Sequence, residues 1–181
     1  MTTGPDVTFT FQDWLQTPED GLRHEILEGD HVVTPYPNLD HQKVSRRIQF
    51  QLYEQIERAG RGEVINAPAG VRLSDEDVVV PDLFVVLSGR AGILLDSHVD
   101  GPPDLVVEIL SRSTGRRDRG AKKRLYETFG VREYWIVDPV GRFIEQYSLD
   151  SGTYRLVGRH TERISLKILD DVALDLGEVW V

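Results

Sequence analysis

Two carboxylates stand inside stretches that otherwise read as buried β-strand. Asp82 lies in Val78-Val79-Val80-Pro81-Asp82-Leu83-Phe84-Val85-Val86, and Glu108 lies in Leu105-Val106-Val107-Glu108-Ile109-Leu110. An ionised carboxylate in apolar surroundings costs several kcal/mol unless it is paired, protonated or bound to a cation. Each alone has a plain structural explanation. Pro81-Asp82 fits an edge-strand bulge or turn, and Glu108 fits an edge strand facing solvent. Both together, on neighbouring strand-like segments and followed directly by a lysine-rich helix, point to a shared cation site. The chain has no cysteine, which removes disulfides, thiolate metal sites and a cysteine nucleophile. Carboxylates and histidines remain as ligands, a donor set that favours a hard cation such as Mg²⁺ or Mn²⁺.

The surrounding pattern predicts the frame for these residues. Thr10-Phe11-Gln12-Asp13 resembles a capping box that opens a short helix through Trp14 and Leu15. Glu25 to Val33 reads as strand, glycine-containing turn, strand. From Asp40, a candidate N-cap, Val44, Ile48, Leu52 and Ile56 recur every four residues, which predicts an amphipathic helix ending near Gly60. Three strands are expected over 63–73, 78–87 and 104–110, with near-continuous apolar runs that suit burial on both faces. A second helix is expected from Thr114 to Phe129 with Gly130 as its C′ residue. Strands over 133–137, 143–147 and 154–157 follow, and short extended pieces fill 164–181. The order predicts an α/β fold, a mixed β-sheet flanked by helices with an additional C-terminal β region. With 181 residues, the chain suits a single domain, its core at about residues 8–150.

A net charge of −9 speaks against a nucleic-acid partner, because duplex binding is dominated by phosphate neutralisation. The average hides a local cluster. Arg112, Arg116, Arg117, Arg119, Lys122, Lys123 and Arg124 face a single acid, Asp118, over thirteen positions. Such a run is a solvated helix face or a phosphate track. Periodicity alone places Lys122 at the border of the helix's apolar stripe, beside Tyr126 and Phe129, where a lysine can snorkel.

These residues carry a resemblance. Pro81-Asp82, Glu108 in a strand and a following lysine resemble the PD-(D/E)XK nuclease superfamily, and more closely its Uma2 (DUF820) branch of restriction-endonuclease-like proteins. The matching segments are Glu25-Ile26-Leu27-Glu28-Gly29, His41-Gln42, Val80-Pro81-Asp82-Leu83, the run from Gly101 to Ser111, the run from Arg117 to Tyr126, and Glu133 to Pro139. They span roughly residues 8–150 in order. Leu110 stands where the superfamily pattern would put lysine two positions after the glutamate, and Arg112 stands where proline is expected.

The resemblance implies a Mg²⁺-dependent (or Mn²⁺-dependent) endonuclease fold in which the lysine has moved to the helix as Lys122. It further implies Asp82, Glu108 and Glu25 as metal-binding and catalytic carboxylates, with the Ile109 carbonyl as a further ligand. Lys122 would orient a metal-activated water or stabilise the transition state. Nucleic acid, DNA in the first place, is the expected partner, with Arg116, Arg117, Arg119 and Lys123 as its contacts. Two alternatives are a catalytically silent nuclease fold used for DNA binding or assembly, and a hydrolase of another phosphoester. Ser111, Ser113 and Thr114 are expected to cap the second helix rather than hold a phosphate. His41 is expected to play a supporting part in the first turn of its helix, and His24, His31, His98 and His160 show no metal-ligand spacing. The N-terminus, Met1 to Asp6, resembles no export signal, and no segment has the length of a membrane span, so the expected address is cytoplasmic. The short C-terminal strands, including Val179-Trp180-Val181, suggest apolar surface for a two-fold homodimer.

Overall fold

Apolar runs buried on both faces become the middle of a mixed sheet. The computed structural model describes residues 7–35, 37–111 and 114–180. Arg112, Ser113, Met1 to Asp6 and Val181, all part of the sequence expectations, lie outside them. The described chain opens with α1 (Phe11–Trp14), the strands β1 (Arg23–Leu27) and β2 (Asp30–Thr34), and α2 (Leu39–Leu52). Then come β3 (Gly62–Asn66), β4 (Val71–Arg72), β5 (Val78–Val79), β6 (Leu83–Leu87), β7 (Val99–Asp100) and β8 (Leu105–Ile109). The second long helix has two α-helical parts, α3 (Gly115–Arg117) and α4 (Lys123–Thr128), joined by a π turn at Asp118–Lys122. After it run β9 (Glu133–Asp138), β10 (Phe143–Asp150), β11 (Thr153–His160), β12 (Arg163–Ser165) and β13 (Ala173–Asp175).

The main sheet has six strands in the order β11-β10-β9-β8-β6-β3, parallel only between β8 and β9, which the α3–α4 helix connects. A five-stranded sheet, β2-β1-β5-β4-β7, packs on one of its faces. Because side chains alternate along a strand, the central strands sort their residues by parity. Leu83, Val85, Leu105, Val107, Ile109, Trp135 and Val137 meet Val44, Ile48 and Leu52 of α2. Phe84, Val86, Val106, Tyr134 and Ile136 meet Leu125 and Tyr126 of α4 and Leu27, Val71 and Val79 of the smaller sheet. Glu108 falls in the second set, so its carboxylate faces α4.

Helix ends follow local chemistry. Asn38, not Asp40, caps α2, its Oδ1 accepting the His41 N–H at 2.9 Å. Asp40 lies inside the first turn and pairs with Lys43 at 3.3 Å. Gly130 adopts φ +80°, and the Gly130 and Val131 N–H groups bond the Glu127 and Tyr126 carbonyls at 3.2 and 2.9 Å. This is a Schellman ending, as the glycine predicts.

Two expected strands break. The stretch 63–73 splits into β3 and β4, and 78–87 into β5 and β6, each pair divided between the two sheets. Proline explains both breaks, since Pro68 and Pro81 have no N–H to give a ladder. Asp82 therefore sits in the crossing between sheets, one residue before β6, and not within a strand.

The C-terminal segment is no appendage to a core ending near residue 150. β11 is the edge strand of the main sheet, and Ile164, Leu166, Val172, Leu174, Leu176 and Val179 pack into the same cluster as α2. Of the apolar residues on which a homodimer was expected, Val179 is fully buried and Trp180 half-buried, and Val181 lies outside the described residues. Leu174→Ala is expected to cost about 2–5 kcal/mol, the range for a buried leucine, as a lower urea midpoint. A midpoint unchanged from wild type would mean that this segment does not share the core. Among the described residues, no helix is long and apolar enough to cross a membrane.

Candidate active site

Five elements converge where β6 begins and β8 ends. β1 supplies Arg23 and Glu25, α2 supplies His41, the sheet crossing supplies Asp82, and β8 supplies Glu108. The α3–α4 helix adds Asp118, Lys122 and Tyr126. The pairing of Leu83 with Val107 brings Asp82 beside Glu108 and Ile109.

Asp82 is 4% exposed. Its Oδ1 accepts from Arg23 Nη2 at 2.7 Å, and its Oδ2 accepts from His41 Nε2 at 3.0 Å and from the Ile109 N–H at 2.8 Å. Burial opposes its ionisation, but the His41 hydrogen bond and the Arg23 charge prevail, aided by the Ile109 N–H. The carboxyl is held well below the usual range. Within an extended strand the N–H and C=O of one residue face the same edge, so the Ile109 carbonyl is turned to the same edge of β8 as its N–H. His41 Nδ1 is buried without a hydrogen-bond partner.

Lys122 is 2% exposed, neither snorkelling nor at the border of the stripe. Its Nζ lies 2.7 Å from Glu25 Oε1 and 2.7 Å from Glu108 Oε1. Burial would lower its pKa, yet Glu108, Glu25 and Asp118 together raise it, so the lysine is an ammonium. Glu25 also accepts the Val80 N–H at 2.9 Å, and Arg117 Nη1 approaches to 3.7 Å. Glu108 accepts from the Tyr126 hydroxyl at 2.7 Å. Burial pushes Glu108 up to about 8. Lys122 pulls the other way, but the charges of Asp118, Asp82 and Glu25 add to the burial and outweigh it.

That shift has a consequence for stability. Glu108 in the folded chain keeps its proton above its ordinary value of 4.5. Its favourable contribution is therefore complete below about pH 4.5 and is lost as pH rises through about 8. In EDTA, the urea midpoint of the wild type is expected to fall over this window, by at most ~1.4 kcal/mol per pH unit from this group. Glu108→Gln keeps the shape and should flatten the fall. Equal slopes in the two proteins would refute the raised pKa.

Sequence patterns missed Arg23, Asp118 and Tyr126. Asp118, Lys122 and Tyr126 are spaced by four, a signal for one helix face, but the apolar positions alone put that face at the border. The basic residues expected at nucleic acid are mostly engaged by the fold. Arg117 donates to Thr34 Oγ1 at 3.1 Å, Arg119 bonds Glu145 and stands 4.0 Å from Asp138, and Lys123 lies 3.8 Å from the centre of the Tyr147 ring. Arg116 is exposed. Ser111 and Thr114 bond each other, Thr114 N–H donating to Ser111 Oγ at 3.2 Å. His24 and His31, assigned nothing by spacing, meet across β1 and β2 at 3.0 Å.

The donor set of Glu25, Asp82 and Glu108 is the all-oxygen chemistry of a hard divalent cation. The Lys122 ammonium, between two carboxylates, stands in for such a charge. The residues fit the ion in kind, but the carboxylates are already engaged. Among the described residues no three His, Cys, Asp or Glu side chains stand close enough to hold an ion as they are.

A model of the Uma2 family, described as "Putative restriction endonuclease", matches residues 10–177. Among solved structures, the crystal structure of "a putative nuclease belonging to DUF820" from Anabaena variabilis ATCC 29413 is similar to this one, with a TM-score of 0.78. The match covers 95% of this chain and 97% of that one at 16% sequence identity, which speaks for the fold. No curated protein matches the chain significantly. With its family match extending over nearly the whole chain, this protein belongs to the Uma2 family of the restriction-endonuclease-like fold.

Proposed function

We propose that the chain is a divalent-metal-dependent endodeoxyribonuclease that hydrolyses phosphodiester bonds. The observation that carries this reading is the convergence of three buried carboxylates and one buried ammonium, Glu25, Asp82, Glu108 and Lys122, from four separate elements of a nuclease-family fold. Glu25, Asp82 and Glu108, with the Ile109 carbonyl, would hold Mg²⁺ or Mn²⁺. The bound cation would supply an acidified water and neutralise charge at the phosphate. Tyr126 fixes the Glu108 carboxylate, while His41 and the Ile109 N–H fix Asp82. Lys122 orients the attacking water and stabilises charge on the phosphate oxygens.

One observation favours a second reading, a silent nuclease fold that binds DNA. Each carboxylate already has a protein cation or hydroxyl against it. Plasmid, linear duplex, single-stranded DNA and RNA, each incubated with Mg²⁺, Mn²⁺ or EDTA, separate the two. Metal-dependent cutting of DNA that Glu108→Gln abolishes is the expected result. Intact DNA with either metal, and no heat of metal binding by calorimetry, would overturn the nuclease reading in favour of the silent fold.

A further inference from the structure

The nuclease reading leaves open which surface receives the polynucleotide. On the α3–α4 helix, Arg117, Arg119 and Lys123 are matched by Thr34, Glu145 and the Tyr147 ring, and Arg116 does not line the cleft that reaches Asp82. Of the three buried carboxylates, Asp82 alone faces a cleft among the described residues. A cleft of about 1210 Å³ ends on Asp82, Arg23 and His41, whereas Glu25, Glu108 and Lys122 do not line it.

One wall of this cleft is a face of α2. His41, Gln42, Ser45, Arg46 and Gln49 line it, and their spacing by one, three and four residues is that of one helix side. Arg46 is exposed, and among the described residues it has neither an ion pair nor a hydrogen bond. Lys43, on the same wall, is 3.3 Å from Asp40 with both side chains exposed. Such a pair holds its partner weakly and can exchange it for a phosphate. Among the described residues, the charged lining consists of Arg23, Lys43 and Arg46 against Glu19 and Asp82. This described lining holds one more cation than carboxylate in a chain of net charge −9. From Gln42 to Gln49 the helix rises about 10 Å, which follows a strand over roughly three phosphates.

We propose that the sugar-phosphate backbone of a DNA strand runs along this α2 wall to Asp82, with Arg46 as its principal phosphate contact and Lys43 beside it. This rests on the nuclease reading for its partner, but its test is independent of cleavage. Binding of a labelled oligonucleotide, single-stranded and duplex, to the full chain in EDTA is followed by fluorescence anisotropy over a range of salt. Arg46→Glu is expected to weaken binding by about tenfold or more, and Arg46→Ala to reduce the salt slope by roughly one phosphate contact. Arg116→Glu should change binding less than about twofold, the mark of a residue outside the track. Melting curves equal to wild type show that the exposed variants fold. Arg46-dependent binding without cutting under any metal supports the surface and sinks the nuclease reading. Binding indifferent to both Arg46 variants, or lost in Arg116→Glu instead, overturns the surface and leaves the nuclease reading standing. No binding of either strand form by the wild type overturns the surface outright.

Discussion

Lys122→Ala is expected to lower the stability of the protein by on the order of 3–5 kcal/mol and to abolish cleavage. The ammonium lies 2.7 Å from both Glu25 and Glu108, and all three side chains are essentially out of solvent. Its removal strips Glu25 and Glu108 of the cation they share and leaves their buried oxygens without a donor in a low-dielectric space, where ionising both becomes still more costly. The vacated position lies between two carboxylates, so millimolar Mg²⁺ or Mn²⁺ should recover part of the lost stability, and recover more than it adds to the wild type. Lys123→Ala is the control. Its amine sits over the Tyr147 ring, a contact of about 0.5–1 kcal/mol at such a site, and its loss should leave cleavage nearly intact. Urea denaturation in EDTA and with metal measures these effects. A Lys122→Ala protein as stable as wild type in EDTA, or a Lys123→Ala protein that proves the inactive one, would contradict this assignment of the two lysines.

Asp82→Asn is expected to be the second severe change. The carboxylate faces the Arg23 guanidinium and the His41 imidazole, and Arg23 donates to it from a side chain only 16% exposed. The amide retains an oxygen for the Ile109 N–H but no charge for Arg23, and stranding a buried partner costs about 3–5 kcal/mol. Cleavage should fall more than roughly 100-fold, the upper limit of the loss when a ligand merely loses its hydrogen-bond partner. The acid limb should also change. Because the folded carboxyl is held below its ordinary value of 3.8, its contribution is present above about pH 4 and is lost as pH falls toward the folded value. The wild type should therefore lose stability on acidification more steeply than Asp82→Asn. Parallel acid limbs, or full cleavage by the variant, would show that Asp82 is neither paired nor functional.

Local pattern was enough for much of this molecule. The four-residue recurrence from Val44 to Ile56 fixed α2 and the face it buries, Gly130 fixed the end of the second helix, and the apolar runs marked the strands that both layers cover. Acids inside those runs marked Asp82 and Glu108, because burying a charge is costly whatever the topology. Lys122 was legible only through the resemblance to Uma2, since its own periodicity placed it at the rim of the helix. The tertiary structure decided the rest. A single run from Val78 to Leu87 became two strands in two sheets with Asp82 at the crossing. Arg23 came to face Asp82 from fifty-nine positions away, and the tail expected to lie outside the core became part of it. Hydrophobic period and turn chemistry act over a few residues and report which face is buried. They carry no information about which distant charge a buried carboxylate will meet, because that depends on strand order and register, and the whole chain sets these together.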